Sequence, residues 1–195
     1  MIIRIIRHAE TEGNLKHQFV GRIDNPLAKE GIITAENSTH YPDVTKVYTS
    51  NLKRTIETAQ IIFPNAVVNE VYDLREIDFG DFEGKAQEDL KDHPAFIRWM
   101  ESNTFPECPG GEKLDDFVAR CTSAFKGIVE DELKANSAEV NFVIHGGTIM
   151  AIMHVFATPP REFFDWRLGN CKGYCLETGD LQECTPNSLG LVEEI

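Results

Sequence analysis

Two histidines and two arginines stand where this chain could make and break a bond to phosphorus. His8 follows Arg7 directly, His145 precedes Gly146 and Gly147, and Arg54 lies in the first turn of a stretch of helical character. A neutral imidazole can accept a phosphoryl group covalently. That transfer needs positioned positive charge above all, and the guanidinium fork matches two phosphate oxygens at once. A departing alkoxide needs a proton, which a carboxyl of raised pKa can supply. The acidic stretch around residues 73–83 offers Asp73, Glu76 and Glu83, and spacing alone does not choose among them. Each group also has an ordinary reading. A histidine at a strand end is about as often a hydrogen-bonded rim residue, an arginine early in a helix is usually a solvated charge, and Gly-Gly is a tight turn. Convergence is what favours chemistry.

The elements that must position these residues can be read from the apolar pattern. Residues 2–6 form a short β-branched run broken only by Arg4, which reads as a buried strand. A polar loop, 8–26, follows, then a helix over 29–37. Residues 46–49 read as a strand, with Ser50 or Asn51 capping the helix that carries Lys53 and Arg54. Arg54 there opposes the helix dipole, a conflict that a bound anion would remove. A third strand spans 66–71. Leu114, Phe117, Val118, Cys121, Phe125, Ile128 and Val129 recur at helical spacing over 114–134. A central strand, 140–144, runs into His145 and a helix over 148–157. Residues 173–177 and 181–184 read as a closing hairpin around Gly179-Asp180.

Alternating strands and helices predict an α/β fold: a three-layer α/β/α sandwich with a mostly parallel central sheet. In such sheets ligands bind beyond the C-terminal strand ends, where Arg7-His8, Arg54 and His145 all fall. Residues 1–195 read as a single domain, with a small helical lid inserted at about 78–111, in which Trp99 is expected to pack as core.

Bulk properties narrow the function class. A net charge of −13 argues against a nucleic-acid binder, while still allowing a few arginines focused in a cleft to hold a small anion. The five cysteines, Cys108, Cys121, Cys171, Cys175 and Cys184, are odd in number, irregular in spacing and free of CxxC pairs, so neither disulfides nor zinc are expected and a reducing cytoplasm is the simpler location. No apolar run approaches the roughly 20 residues of a membrane span. No cofactor and no metal are expected. The sequence leaves the oligomeric state open, with a homodimer among the options.

Four stretches resemble the motifs of the histidine phosphatase superfamily, also called phosphoglycerate mutase-like. Arg7-His8-Ala9-Glu10-Thr11 with Asn14 is similar to the opening motif, where glycine is more usual than Ala9. Residues 49–59, 74–84 and 145–147 resemble the second, third and fourth, in the same order and spacing. The resemblance implies the phosphoglycerate mutase-like fold, His8 as the phosphorylated residue and Glu76 as the proton donor. It further implies Arg7, Arg54 and His145 as phosphate ligands, with Asn14 and the backbone at Gly21 and Gly146 completing the pocket. No adjacent arginine pair marks the lid, as a mutase for carboxylate-bearing substrates would have. Residues 93–120, with Pro109-Gly110-Gly111-Glu112, Phe117 and Arg120, resemble the small phosphatase branch that includes the alpha-ribazole phosphatases of cobalamin synthesis. The implied activity is metal-independent hydrolysis of a small phosphorylated metabolite. The alternatives are mutase-type phosphoryl transfer and a non-catalytic phosphate-ligand-binding module. An α/β-hydrolase is set aside because no GxSxG elbow occurs.

Overall fold

The structure, a computed structural model, describes residues 1–102, 108–181 and 183–195, with backbone alone for residues 99, 100 and 102. The strands are β1 (Ile2–Arg7), β2 (Lys46–Thr49), β3 (Val67–Glu70), β4 (Glu139–Ile144), β5 (Ala157–Thr158), β6 (Gly173–Glu177) and β7 (Leu189–Glu194). They form one mixed sheet in the order β3-β2-β4-β1-β6-β7-β5. β3, β2, β4 and β1 are mutually parallel, and β6 runs antiparallel to β1 and β7. The helices are α1 (Glu12–Leu15), α2 (Lys29–Glu36), α3 (Lys53–Ile62), α4 (Gln87–Leu90), α5 (Pro94–Ser102), α6 (Leu114–Lys134) and α7 (Gly146–Phe156).

Alternation along the central strands explains the layering. Val140, Phe142 and Ile144 of β4 join Ile3 and Ile5 of β1 in the core beneath α6 and α7. Val143 and Ile6 face the other way, toward Ala59 and Phe63 on the α3 side. Strands buried on both faces read as near-continuous apolar runs, and the charge in the middle of β1 is compensated: Arg4 lies beside Asn141 in the register and bonds Glu139 and Asn141. In α6, Phe117, Cys121, Phe125 and Val129 recur every fourth residue and are fully buried. That stripe is the predicted one, and the helix has the predicted ends.

Two local expectations are corrected. The residue preceding α3 is Leu52, with no side-chain cap, because the Ser50 hydroxyl is drawn inward against Thr55 and His145. The partner of β6 is β7, not residues 181–184. The chain turns at Gly179 (φ +53°), then buries Cys184 in the main core, and a turn at Thr185–Ser188 brings it back to the sheet. Trp99, expected as lid core, lies outside the described side chains. The ends of the expected lid segment are tied together, with Asp81 N–H donating to Pro109 O (2.8 Å) and Glu112 N–H to Asp78 O (2.9 Å). Phe82, Leu90, Phe96 and Cys108 form a separate small apolar cluster within it.

Candidate active site

Because β2, β4 and β1 are adjacent and parallel, their C-terminal ends open on one edge of the sheet. Arg7 and His8 leave β1, Arg54 sits in the first turn of α3 after β2, and His145 links β4 to α7. The loop after β3, through the 3₁₀ turn Tyr72–Leu74, delivers Glu76 to the same place. Thus His8, His145, Arg7, Arg54 and Glu76 come together, from four strand ends.

The rings of His8 and His145 lie 5.2 Å apart at their centroids, nearly edge to face. His8 Nδ1 is 2.6 Å from the carbonyl oxygen of Ala9. A carbonyl can only accept, so Nδ1 carries the hydrogen and neutral His8 keeps its lone pair on Nε2. Its backbone is fixed by Ile144 O and by the Asn170 side-chain amide, which donates to His8 O. For His145 the assignment reverses. Arg54 Nε donates to its Nδ1 (3.2 Å), so Nε2 carries the hydrogen and donates to Ser50 Oγ (2.8 Å). Burial, and then the charges of Arg54 and neighbouring groups, hold both imidazoles well below their usual pKa. Both are therefore neutral at neutral pH.

Arg54 is fully buried, and its placement resolves the dipole conflict within the protein itself. Its fork donates to the carbonyls of Ile23 (2.9 Å), Gly21 (2.8 Å) and Val20 (3.4 Å). The N–H groups of that same loop point at Glu83, whose carboxylate accepts from Gly21, Arg22, Ile23 and Phe79. Loop 20–23 is thus held from both sides. The Gly21 N–H, expected in the pocket, is given to Glu83, and any Cβ at Gly21 would lie 2.0 Å from Ile77 O. Arg7 donates through Nη1 to Leu168 O, while its buried Nε has no protein acceptor among the described residues. Gly146 packs against this guanidinium, with room for only a tight Cβ contact at 3.3 Å.

The Glu76 carboxylate accepts from Ile77 N–H (3.0 Å) and Gly147 N–H (2.8 Å). Those bonds favour its ionised form, but burial is the larger influence and raises its pKa. Asn14 accepts from the Thr11 N–H and hydroxyl through Oδ1, which leaves its NH₂ for the cavity that it lines. Ala9, in place of glycine, is fully buried without positive φ, and its N–H donates to Thr58.

A cavity of about 540 Å³ opens above these groups. Arg7, Asn14, Glu76, Gly146 and Gly147 line it, with Phe19, Ile77, Phe79, Met150, Phe164 and Leu168 as its apolar wall. Arg167 and Asn170, from the connection into β6, also reach it. Sequence reasoning missed these two, and missed Ser50 and Glu83 as supports. Ser50 and Glu83 lie inside motif stretches that were already singled out, whereas nothing local marks 167–170. Among the described residues no cluster of three His, Cys, Asp or Glu side chains could hold a metal ion, and no helix is long and apolar enough to cross a membrane.

A sequence profile of the histidine phosphatase superfamily (branch 1) matches residues 3–185. The chain is 36% identical over 160 residues to phosphoglycerate mutase-like protein 4 of Arabidopsis thaliana, covering 77% of this chain and 68% of that one. It is 31% identical over 160 residues to the metal-independent phosphoserine phosphatase of the same plant, covering 77% of this chain and 66% of that one. The alpha-ribazole phosphatase of Shigella flexneri has the same fold, with a TM-score of 0.78 over 97% of this chain and 96% of that one at 24% identity. With this geometry and these relatives, the chain belongs to the histidine phosphatase superfamily, branch 1, and its activity is of the phosphatase or mutase class.

Proposed function

We propose that the chain is a metal-independent phosphomonoester hydrolase that passes through a phosphohistidine on His8. The observation that carries this reading is the Ala9 carbonyl at Nδ1 of His8, which leaves the Nε2 lone pair as the nucleophile amid buried arginines. In the first half-reaction Nε2 attacks phosphorus, the P–O bond to the alcohol breaks, and Glu76 gives its proton to the departing oxygen. Arg7, Arg54, Asn14 and the Gly146 backbone offset the charge on the non-bridging oxygens, and His145, a phosphate ligand by motif resemblance, orients Arg54 in the arrangement seen here. In the second, water attacks phosphorus, the Glu76 carboxylate takes its proton, and the P–N bond breaks to release phosphate. Neutral His8 and protonated Glu76 are the starting states required, and burial favours both.

The substrate in this reading is a small phosphorylated metabolite. The apolar and aromatic wall, with amides from Asn14 and Asn170, suits a flat body such as that of alpha-ribazole 5'-phosphate. A mutase reading draws support from Arg167, a second cation in the cavity, and from the phosphoglycerate mutase-like relative. A screen of alpha-ribazole phosphate, 3-phosphoglycerate, phosphoserine and sugar bisphosphates separates the two. Hydrolysis gives inorganic phosphate, whereas a mutase gives an isomer and needs a bisphosphate primer. For the mechanism itself, His8→Ala abolishes turnover of an aryl phosphate and alkali-stable, acid-labile phosphoryl labelling of the protein, with an unchanged circular dichroism spectrum. Wild-type turnover in that variant overturns the reading.

A further inference from the structure

Sequence comparison singled out Glu112 and Arg120 without giving either a task, and neither lines the cavity. Their geometry is nonetheless specific. Arg120 and Glu112 form a two-pronged pair, Nε to Oε1 at 2.7 Å and Nη2 to Oε2 at 2.7 Å, with both side chains largely withdrawn from water. The remaining donors go to the loop that carries the proposed acid. Nη1 donates to Asp73 O and Arg75 O, both at 2.9 Å, and Nη2 donates to Glu76 O at 3.1 Å. All five N–H groups of the fork are thereby used, three of them on successive turns of one loop. Glu112 is itself anchored, because its N–H donates to Asp78 O just beyond that loop. Arg120 stands on α6, whose apolar stripe locks it to the core.

The geometry points to Arg120, paired with Glu112, as a positioning residue that sets the loop at 73–76 and so aims the Glu76 carboxyl at the leaving oxygen. The inference rests on the proposed role of Glu76 and deepens it. The loop's other ties to rigid elements include the Gly147 N–H on the Glu76 carboxylate and those of the two residues before it. Leu74 is buried in the main core, and the Thr148 hydroxyl makes long contacts to Leu74 O and Arg75 O (3.4 and 3.3 Å). A lysine in place of Arg120 keeps the charge but cannot make a planar, five-donor contact. The backbone at Glu76 is then free to shift, and a misplacement of about 1 Å can cost on the order of 10²-fold in rate.

The test exploits leaving groups. 2,4-Dinitrophenolate departs without a proton, whereas an alkoxide requires one. First-turnover release of the alcohol, which reports the phosphorylation half-reaction alone, is measured for an alkyl phosphate and for 2,4-dinitrophenyl phosphate. For Arg120→Lys the expected outcome is a loss of about 10²-fold on the alkyl ester with little change on the dinitrophenyl ester, the pattern also expected of Glu76→Gln. The double variant should be no slower than Glu76→Gln alone. If Arg120→Lys does not fold, Glu112→Gln, which loosens the same pair, should show the same selectivity with a smaller loss. Equal losses on both esters, or none, overturn the positioning role. Alkaline-quench phosphoryl labelling of His8 with the dinitrophenyl ester keeps the two readings apart. Absence of label in the wild type overturns the phosphohistidine mechanism and this inference with it, whereas normal labelling with an unselective Arg120 effect overturns the inference alone.

Discussion

At the scale of single residues, the protein keeps two histidines neutral by burying them among arginines. An unfolded imidazole titrates near 6.5, and in the folded chain His8 and His145 lie well below that, chiefly through burial. The unfolded chain therefore binds more protons as pH drops below about 6.5, so their contribution to stability is complete above that pH and is lost as pH falls below it. Glu76 has the opposite sign. Its pKa is raised, so it is protonated over a wider range than an ordinary carboxyl, and it favours the folded state most below the usual carboxylate pKa and least as pH rises through its folded value. His8→Asn should flatten the acid side of the stability profile. The difference between urea midpoints at about pH 7.5 and about pH 5.5, on either side of the free-histidine pKa, should be smaller in the variant than in the wild type. An identical difference in both proteins means that His8 is not the titrating group.

At the scale of elements, the start of α7 is where helix and chemistry meet. Gly147 donates its N–H to Glu76, and a Cβ there would lie 2.2 Å from Glu76 Oε1. On helix propensity alone, Gly147→Ala would gain about 1 kcal/mol. The contact with Glu76 outweighs that for function, because the carboxyl must move away from its two N–H donors. We expect Gly147→Ala to keep its fold and lose turnover on alkyl phosphates by about 10²-fold, the scale of a misplaced general acid. Unchanged alkyl phosphatase rates would show that Glu76 works from another position. In the proposed mechanism α7 thus serves as a stop for the acid, and α6, through Arg120, as its clamp.

At the scale of the whole molecule, a chain of net charge −13 brings Arg7 and Arg167 to the wall of one cavity, while Arg54 is fully buried against His145. That local field, not the overall charge, is what an anionic substrate meets on entry. Three acids near the site are occupied elsewhere: Glu83 by four backbone N–H groups, Glu76 by two, and Glu112 by Arg120. Among the described residues no group of three or more His, Cys, Asp or Glu side chains could hold a metal ion, as a two-metal phosphatase would require. Dialysis against EDTA should therefore leave turnover of an aryl phosphate unchanged. A loss restored by added metal would refute the histidine mechanism.

Much of this molecule was legible in its sequence, for reasons that are local. Strand and helix periods are written in the order of apolar residues, which is why the stripe Phe117, Cys121, Phe125 and Val129 and the runs of β1 and β4 could be read directly. Once the strands are taken as parallel neighbours, their ends must share an edge, so His8, Arg54 and His145 could be brought together from sequence alone. Hydrogen bonds between residues distant in the chain could not be. Glu76, Glu83 and Asp73 are equivalent as letters. Motif resemblance names Glu76, and the folded backbone supplies the physical distinction, burying Glu76 against Gly147 N–H while turning Glu83 to the amides of loop 20–23. The same holds for Ser50, which was read as a helix cap and instead orients His145 across 95 positions of chain, and for Asn170, which holds His8 across 162. Sequence by itself determined which elements form and where His8, His145 and the arginines fall on them, because those depend on neighbours in the chain. Tertiary structure alone decided how the Glu76 carboxyl is buried and held, which tautomer each histidine adopts and which arginine bonds the loop at 73–76, because each depends on donors and acceptors that meet only after the sheet has closed.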